Sequence, residues 1–208
     1  MTKKKRTSLE LSRLKMLMDV VYAIVVWRLF LLLPRPGNNG QWDSVTDMLL
    51  SEWALFVVPL LALLIVTIYW AQNNELFGYL DHTDSIHTGI TIFQLFFLLL
   101  FLYAIRVGMD FDPAADSRAL ESVAVFLLGV FSYWGWRYAM ANGLVADDVS
   151  VEKALQIRQQ NYAEPVTALT TVPFAFVGPV FWELSWFLYP MIRKYFYKKS
   201  KEVNSTGK

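Results

Sequence analysis

Three long apolar stretches occupy the middle of the chain, and each is long enough to cross a membrane as a helix. They cover residues 53–70, 88–105 and 119–136, each of 18 residues, and Glu121 is the only ionisable residue in any of them. At about 1.5 Å per residue, an 18-residue helix spans roughly 27 Å, which approaches the hydrocarbon thickness of a bilayer. The pattern predicts an all-α membrane protein and makes the water-soluble enzyme classes poor candidates.

Two further apolar stretches, 16–33 and 165–192, complete the pattern. The first contains Asp19 and Arg28, and the turn Pro34-Arg35-Pro36-Gly37 follows it instead of a small-residue cleavage site. It therefore predicts a first spanning helix rather than a signal peptide. The second is too long for one span, and Gly178-Pro179 divides it. It predicts two short tilted helices, which gives six transmembrane helices, one repeat per chain and no second domain.

Polar segments separate these helices. Residues 37–51 are expected to form a polar connection ending near Ser51-Glu52, where a serine and an acid suit a helix start. Residues 141–162 are charged and amide-rich, which predicts a helix outside the hydrocarbon. The fifth long helix is expected to begin near Gln160. Trp134 and Trp136 are expected at the headgroup boundary, where tryptophan is enriched.

The charge is small in total but uneven along the chain. The formal net charge is +1, yet six of the 19 Lys and Arg lie in residues 1–15 and six more lie from Arg193 onward. Because cytoplasmic flanks of membrane helices carry such an excess, six helices are expected to place both termini in the cytoplasm, in a bacterial inner membrane. The expected domains are a basic N-terminus (1–15), a six-helix transmembrane domain (16–197) and a basic tail (198–208). The basic clusters do not imply nucleic-acid binding.

Polar residues within the first helix are the main candidates for function. An ionisable side chain at membrane depth costs about 2.5 to 3.5 kcal/mol on insertion scales, so it usually lines a cavity or has a partner. Asp19 and Arg28 are nine residues apart, which places them on opposite faces and excludes mutual pairing. Ile24, Arg28 and Leu31 fall at i, i+4 and i+7 and share one stripe. As an alternative, Arg28 extends its guanidinium to the nearby membrane surface.

Other polar groups give weaker indications. Asp19, Glu164 and Glu183 motivate a proton-coupled carrier as one hypothesis, although an acid at a helix entry is also favoured by the helix dipole. His82 and His87 are five residues apart, which does not place both on one helix face, so no metal site is expected. The sequence has no HExxH, glycine-rich phosphate loop or GxSxG motif and no cysteine. We therefore expect neither an enzyme nor a cofactor.

Two motifs allow comparison with a known family. They are Arg13-x-x-x-Leu17-Met18-Asp19, followed by Tyr22-Ala23-Ile24, and Tyr69-Trp70-x-x-Asn73-Asn74-x-Leu76-Phe77. The first resembles the R-x-x-x-F-S-D motif and following F-A-I of the transmembrane protein 175 family, potassium channels of bacteria and of animal endosomes and lysosomes. The second is similar to the family's aromatic-Trp pair, polar pair and Leu-Phe. Pro165 and Pro179 stand where its last two helices commonly carry proline.

The resemblance implies an assembly and residue roles. Each subunit carries one six-helix repeat, four subunits form a homotetramer in the lipid bilayer, and the first helix of each lines a central pore. Ile24 is then a hydrophobic gate ring, with Arg28 and Leu31 at further rings one and two turns outward. The residues implied to hold the first helix against its neighbours are Arg13, Asp19, Trp70 and Asn74.

The expected function is a multi-pass channel that passes monovalent ions, potassium by resemblance, through this pore. The sequence departs from the family pattern at Leu17-Met18, at Trp27 and at Arg28, which stands in place of a leucine. Four arginines around a narrow pore would oppose a cation at an effective dielectric of about 20. This favours an anion-permeable or altered-selectivity channel as one alternative. The other is a non-conducting membrane interaction protein whose first helix packs against a partner chain.

Overall fold

The structure is a computed structural model that describes residues 3–35, 42–111 and 114–206. Within these residues the chain forms nine α-helices, and its only β-pairing is an isolated antiparallel bridge between Leu80 and Val145. The helices are α1 (Lys3–Phe30), α2 (Val45–Ser51), α3 (Trp53–Gly78), α4 (Ser85–Asp110), α5 (Ala115–Ala141), α6 (Val151–Asn161), α7 (Ala163–Val177), α8 (Pro179–Ser185) and α9 (Leu188–Thr206). The all-α prediction is confirmed.

Each predicted span corresponds to a helix or to a pair of helices. The segments Leu55–Gly78, Ser85–Asp110 and Ala115–Ala141, in α3, α4 and α5, are long and apolar enough to cross a bilayer. α1 and α7 correspond to the first and fifth predicted spans, and α8 with α9 corresponds to the sixth. The predicted division at Gly178-Pro179 is present, because Gly178 has φ +156° between α7 and α8. Positive φ favours glycine at this break.

The structure differs from two expectations about local structure. The connection before α3 contains a helix of its own, α2, whose N-cap Ser44 accepts a hydrogen bond from the backbone N–H of Asp47. The fifth long helix begins at Ala163 rather than near Gln160. Trp136 is buried, and its Nε1–H donates to the carbonyl of Ala154 at 3.0 Å; its position at a headgroup boundary stays a prediction. Pro36 and Gly37, of the predicted turn after the first helix, lie outside the described residues.

The chain divides into two compact units, Lys15–Phe77 and Met1–Leu14 with Gly78–Lys208. In the larger unit α5 is central, because it packs against both α4 and α7. The two helices α5 and α7 approach closely at Gly129, where an added Cβ would lie 2.9 Å from Cδ of Pro165 and 3.0 Å from its backbone nitrogen. A side chain at position 129 would force these helices apart.

A buried arginine in α5 caps the C-terminal end of α7. The carbonyl of Ala175 lies in the last turn of α7, which ends at Val177 before the break at Gly178, and the last carbonyls of a helix lack intrahelical donors. Arg118 donates to that carbonyl from Nε at 3.2 Å and from Nη2 at 2.9 Å. About one turn further along α5, Ser122 Oγ accepts a hydrogen bond from Trp182 Nε1 in α8 at 2.8 Å. α5 thus holds both sides of the helix break.

Candidate functional site

The first helix has two different faces over residues 15–30. One face is a buried apolar stripe at helical spacing, formed by Met18, Tyr22, Val25 and Leu29. On another side Val20, Ile24 and Trp27 leave 51%, 50% and 60% of their surfaces exposed. These three positions also follow helical spacing, at i, i+4 and i+7. A contiguous apolar face of this kind marks a surface that lipid or another protein covers.

The three residues predicted to line a pore lie at one edge of the exposed face. Ile24 is half-exposed, and Arg28, one turn later, is exposed. Leu31 is half-buried and follows α1 directly. Its backbone N–H donates to the carbonyl of Trp27 at 3.1 Å, so Leu31 keeps the helical register of the other two. In the part of the chain that the structure describes, no ion pair includes Arg28.

A second arginine lies at the C-terminal end of α1, and the sequence reasoning missed it. Arg35 donates from Nη2 to the carbonyl of Leu31 at 3.1 Å. The last carbonyls of a helix lack intrahelical donors and carry partial negative charge, so a basic side chain is favoured there. The sequence signal was a basic residue five positions after the last residue of α1. This end of the helix therefore carries two guanidinium groups, those of Arg28 and Arg35.

The predicted helix-packing residues Asp19 and Trp70 are hydrogen-bonded. Nε1–H of Trp70 in α3 donates to Oδ1 of Asp19 in α1 at 2.9 Å. Tyr22, about one turn later in α1, accepts a second hydrogen bond at its hydroxyl from Nδ2 of Asn73, at 2.7 Å. Nδ2 of Asn73 also donates to the carbonyl of Tyr69 at 3.0 Å. Two polar bonds therefore join α1 to α3 beside the buried stripe of α1.

The remaining two helix-packing residues are placed differently. Asn74 is half-buried and lines the same small cavity as Asp19 and Trp70. Its neighbour Asn73 is the one that bonds α1, and it is only 5% exposed. Arg13 is exposed and lies in the other compact unit. Periodicity distinguishes the two asparagines, because Asn73 continues the buried spacing of α3 whereas Asn74 is rotated by about 100°.

The histidines that the sequence brings near acidic residues have structural contacts. Asp84 caps α4 by accepting a hydrogen bond from the backbone N–H of His87 at 2.8 Å, and its other oxygen accepts the Tyr138 hydroxyl at 2.8 Å. His82 lies 3.3 Å from the carboxylate of Asp81 in a partly exposed pair. Over the described ranges, no three His, Asp or Glu side chains are grouped to hold a metal ion.

The two acids flagged in the last apolar stretch occupy different helices. Glu164 lies in the first turn of α7 and is 7% exposed. Its Oε2 atom has no hydrogen-bond partner among the described residues. Glu183 lies in α8 and is exposed. Because the two acids lie on different helices, their placement gives no support to the proton transfer between them that a proton-coupled carrier could use.

Comparisons with known proteins agree with the motifs of α1 and α3. The family model described as the endosomal/lysosomal potassium channel TMEM175 matches residues 13–101. A crystal structure described as a lysosomal potassium-selective channel TMEM175 homolog from Chamaesiphon minutus is similar at a TM-score of 0.70 and 17% identity, over 92% of this chain and 98% of that one. A variant of the potassium channel MtTMEM175, in complex with a nanobody fusion protein, is similar at a TM-score of 0.64 and 14% identity, over 91% and 93%. No curated protein sequence matches the chain.

At these identities the structural matches establish the fold, and the family model supplies the link in sequence. That match begins at Arg13, the first residue of the motif in α1, and includes the hydrogen-bonded residues of α3. The suspected resemblance is thus confirmed: the chain matches the TMEM175 potassium channel family over residues 13–101 and has the fold of TMEM175 channel structures over about nine-tenths of its length.

Proposed function

We propose that this protein is a multi-pass membrane channel for monovalent ions, potassium channel-like, in which the first helices of four subunits line the pore. The observation that carries the proposal is the exposed apolar face of α1 at Val20, Ile24 and Trp27, on the helix whose sequence matches a potassium channel family. In a homotetramer, part of this face would contact the neighbouring subunits and the rest would line the pore.

The exposed face suits a hydrophobic gate. Ile24 lies in the last two turns of the 28-residue helix α1 and is half-exposed, and its symmetry copies would form a ring of apolar side chains. Hydrophobic constrictions of this kind gate ion flow by dewetting. The polar bonds from α3 to Asp19 and Tyr22 lie within about one and a half turns of Ile24, so they would constrain the rotation of α1 and hence the direction of the ring.

Charge near the outer end of α1 sets the preference for cations or anions. Arg28 and Arg35 place two positive charges there, and the segment that follows contains Asp43, Asp47 and Glu52. If the three acids line the same mouth, they offset the arginines and a cation can approach. If they do not, the arginine ring favours anions. The exposed Arg28, outside any ion pair of the described residues, is the specific observation that keeps an anion-permeable channel as the second candidate.

The proposed setting is a bacterial inner membrane with both termini in the cytoplasm. The basic residues at each end of the chain support this orientation through the positive-inside bias. The partners are the permeating ion, the lipid bilayer and three further copies of the chain. The proposal assigns no enzymatic step and no cofactor.

Reversal potentials in asymmetric KCl test the proposal. Purified protein is reconstituted into planar bilayers with a tenfold KCl gradient. We expect the reversal potential to be shifted from zero toward the potassium equilibrium potential. A value near the chloride equilibrium potential identifies the anion-permeable alternative. Absence of current at every voltage contradicts a channel and favours the membrane interaction protein. Saturable uptake driven by a proton gradient identifies the carrier.

A further inference from the structure

A row of aromatic rings crosses one end of the larger unit. Tyr133 in α5 stacks edge-on with Tyr162, between α6 and α7, at 5.1 Å between ring centroids. Tyr162 contacts Phe196 in α9 at 5.4 Å, and Phe196 contacts Tyr195 at 5.5 Å. Three helical layers thus contribute to one continuous aromatic row. Tyrosine rings concentrate at the level of lipid headgroups, so this row has the chemistry expected of a surface that meets a bilayer.

The last helix carries basic side chains at the same level. Residues 193–201 contain five Lys and Arg and no acid. Arg193 and Phe196 are half-buried, and Phe196 packs on Tyr162. Lys194 and Lys198, at i and i+4, are instead exposed, and they share a stripe that points away from α6 and α7.

The two exposed lysines have no acidic partner in the part of the chain that the structure describes. Neither takes part in the ion pairs found there. Tyr195, between them in sequence, is 63% exposed. An exposed amphipathic ring therefore lies beside two ammonium groups that have no acidic partner among the described residues. This combination, next to the aromatic row, suits a phosphate group at a bilayer surface.

We propose that Lys194, Tyr195 and Lys198 of α9 form a binding surface for the headgroups of anionic phospholipids such as phosphatidylglycerol. The ammonium groups contact the phosphate, and the tyrosine ring lies among the glycerol and upper acyl groups. Charge complementarity selects an anionic lipid over a zwitterionic one, because each lysine near an anionic surface contributes independently to attraction. The surface lies outside the proposed pore, so it does not depend on ion conduction.

The test measures the thermal stability of the full-length protein in detergent while dioleoylphosphatidylglycerol is titrated in. We expect the melting temperature to rise with phosphatidylglycerol and to stay unchanged with dioleoylphosphatidylcholine. In Lys194→Gln/Lys198→Gln the apparent affinity for phosphatidylglycerol falls about thirtyfold. Salt screens exposed charges, so we also expect the stabilisation to weaken as NaCl is raised from about 50 to about 300 mM.

Two variants and one soluble probe make the result specific. Lys194→Arg/Lys198→Arg keeps both charges and is expected to keep the affinity. Arg106→Gln, which removes an exposed arginine at the opposite end of α4 from His87, is expected to respond like the unchanged protein. Equal stabilisation by both lipids, an unchanged affinity in the double glutamine variant, or equal stabilisation by glycerol 3-phosphate alone would each overturn the proposal. The test measures melting temperature and no current. A negative result would therefore overturn the lipid proposal without bearing on the channel proposal.

Discussion

Asp19 and Trp70 are 51 residues apart in sequence, and the Nε1–H of Trp70 donates to the Asp19 carboxylate at 2.9 Å. The bond connects the motif aspartate of α1 to the aromatic-Trp motif of α3. Since Ile24 lies five residues after Asp19, the bond constrains which way the proposed gate residue faces. An acid within an apolar helix thereby has a structural partner, as expected for an ionisable group at membrane depth.

Replacing Trp70 with Phe removes this hydrogen bond while keeping an aromatic ring. We expect the free energy of unfolding to fall by about 0.5 to 1.5 kcal/mol, because the bond is charge-assisted but partly exposed. For a chain of this size that corresponds to a melting temperature lower by roughly 1 to 6 °C. The matched control is Trp53→Phe, which changes an exposed tryptophan of the same helix. Equal shifts in the two variants, measured by scanning fluorimetry, contradict the role of the bond.

The bond from Arg118 to Ala175 predicts a large effect of a single charge removal. Arg118→Met removes the donor to the buried carbonyl of Ala175 at the C-terminal end of α7, and we expect the free energy of unfolding to fall by about 2 to 4 kcal/mol. Arg106→Gln is the control, because Arg106 pairs with Asp110 at 3.8 Å in an exposed position and such pairs contribute about 0 to 1 kcal/mol. The melting temperatures of both variants in one detergent make the comparison. Similar stability of the two would show that the buried bond contributes little.

The close approach of α5 to α7 predicts opposite effects of the same substitution at two glycines. Gly129→Ala places a Cβ 2.9 Å from Pro165, and overpacking of this kind costs about 1 to 3 kcal/mol. Gly89→Ala in α4 meets no atom within 4 Å, so the better helix propensity of alanine is expected to stabilise by about 0.5 to 1 kcal/mol. Chemical denaturation measures both. If the free energy of unfolding is unchanged in Gly129→Ala, α5 and α7 can move apart at this point without cost, which contradicts the prediction.

Hydropathy and spacing were sufficient for part of this architecture. The apolar windows located α3, α4 and α5, and Gly178-Pro179 located the break between α7 and α8. These features depend on local sequence alone, because a helix in lipid satisfies its own backbone. Helix α2 was missed because its seven residues contain polar groups, and its signal was the short pattern of Ser44 followed by an acid at Asp47.

Contacts between distant residues could not be read from local patterns. Arg118 lies just before the apolar window 119–136, so a hydropathy profile assigns it to a turn, whereas its partner Ala175 is 57 residues away. The burial of Trp136 is of the same kind, because it depends on packing against α6 and on a hydrogen bond to the carbonyl of Ala154, 18 residues away. The pattern of α1 did predict that Ile24, Arg28 and Leu31 share a stripe, since this follows from 3.6 residues per turn.

Arg28 provides a functional prediction about selectivity. Arg28→Leu would remove the proposed ring of positive charge, and we expect the reversal potential in asymmetric KCl to move toward the potassium equilibrium value. Arg35→Gln is the comparison, because Arg35 is bonded to the carbonyl of Leu31 and is expected to shift the potential less. A reversal potential that is the same in Arg28→Leu and in the unchanged protein means that this side chain does not face the pathway.

If the exposed face of α1 lines the ion pathway, a thiol at position 24 is accessible to a charged reagent in the pore. The chain contains no cysteine, so a positively charged methanethiosulfonate reagent reacts with the introduced thiol alone. We expect the reagent to change the current of Ile24→Cys and to leave that of Val25→Cys, a fully buried neighbour, unchanged. A current in Ile24→Cys that persists unaltered through complete exposure to the reagent would contradict it.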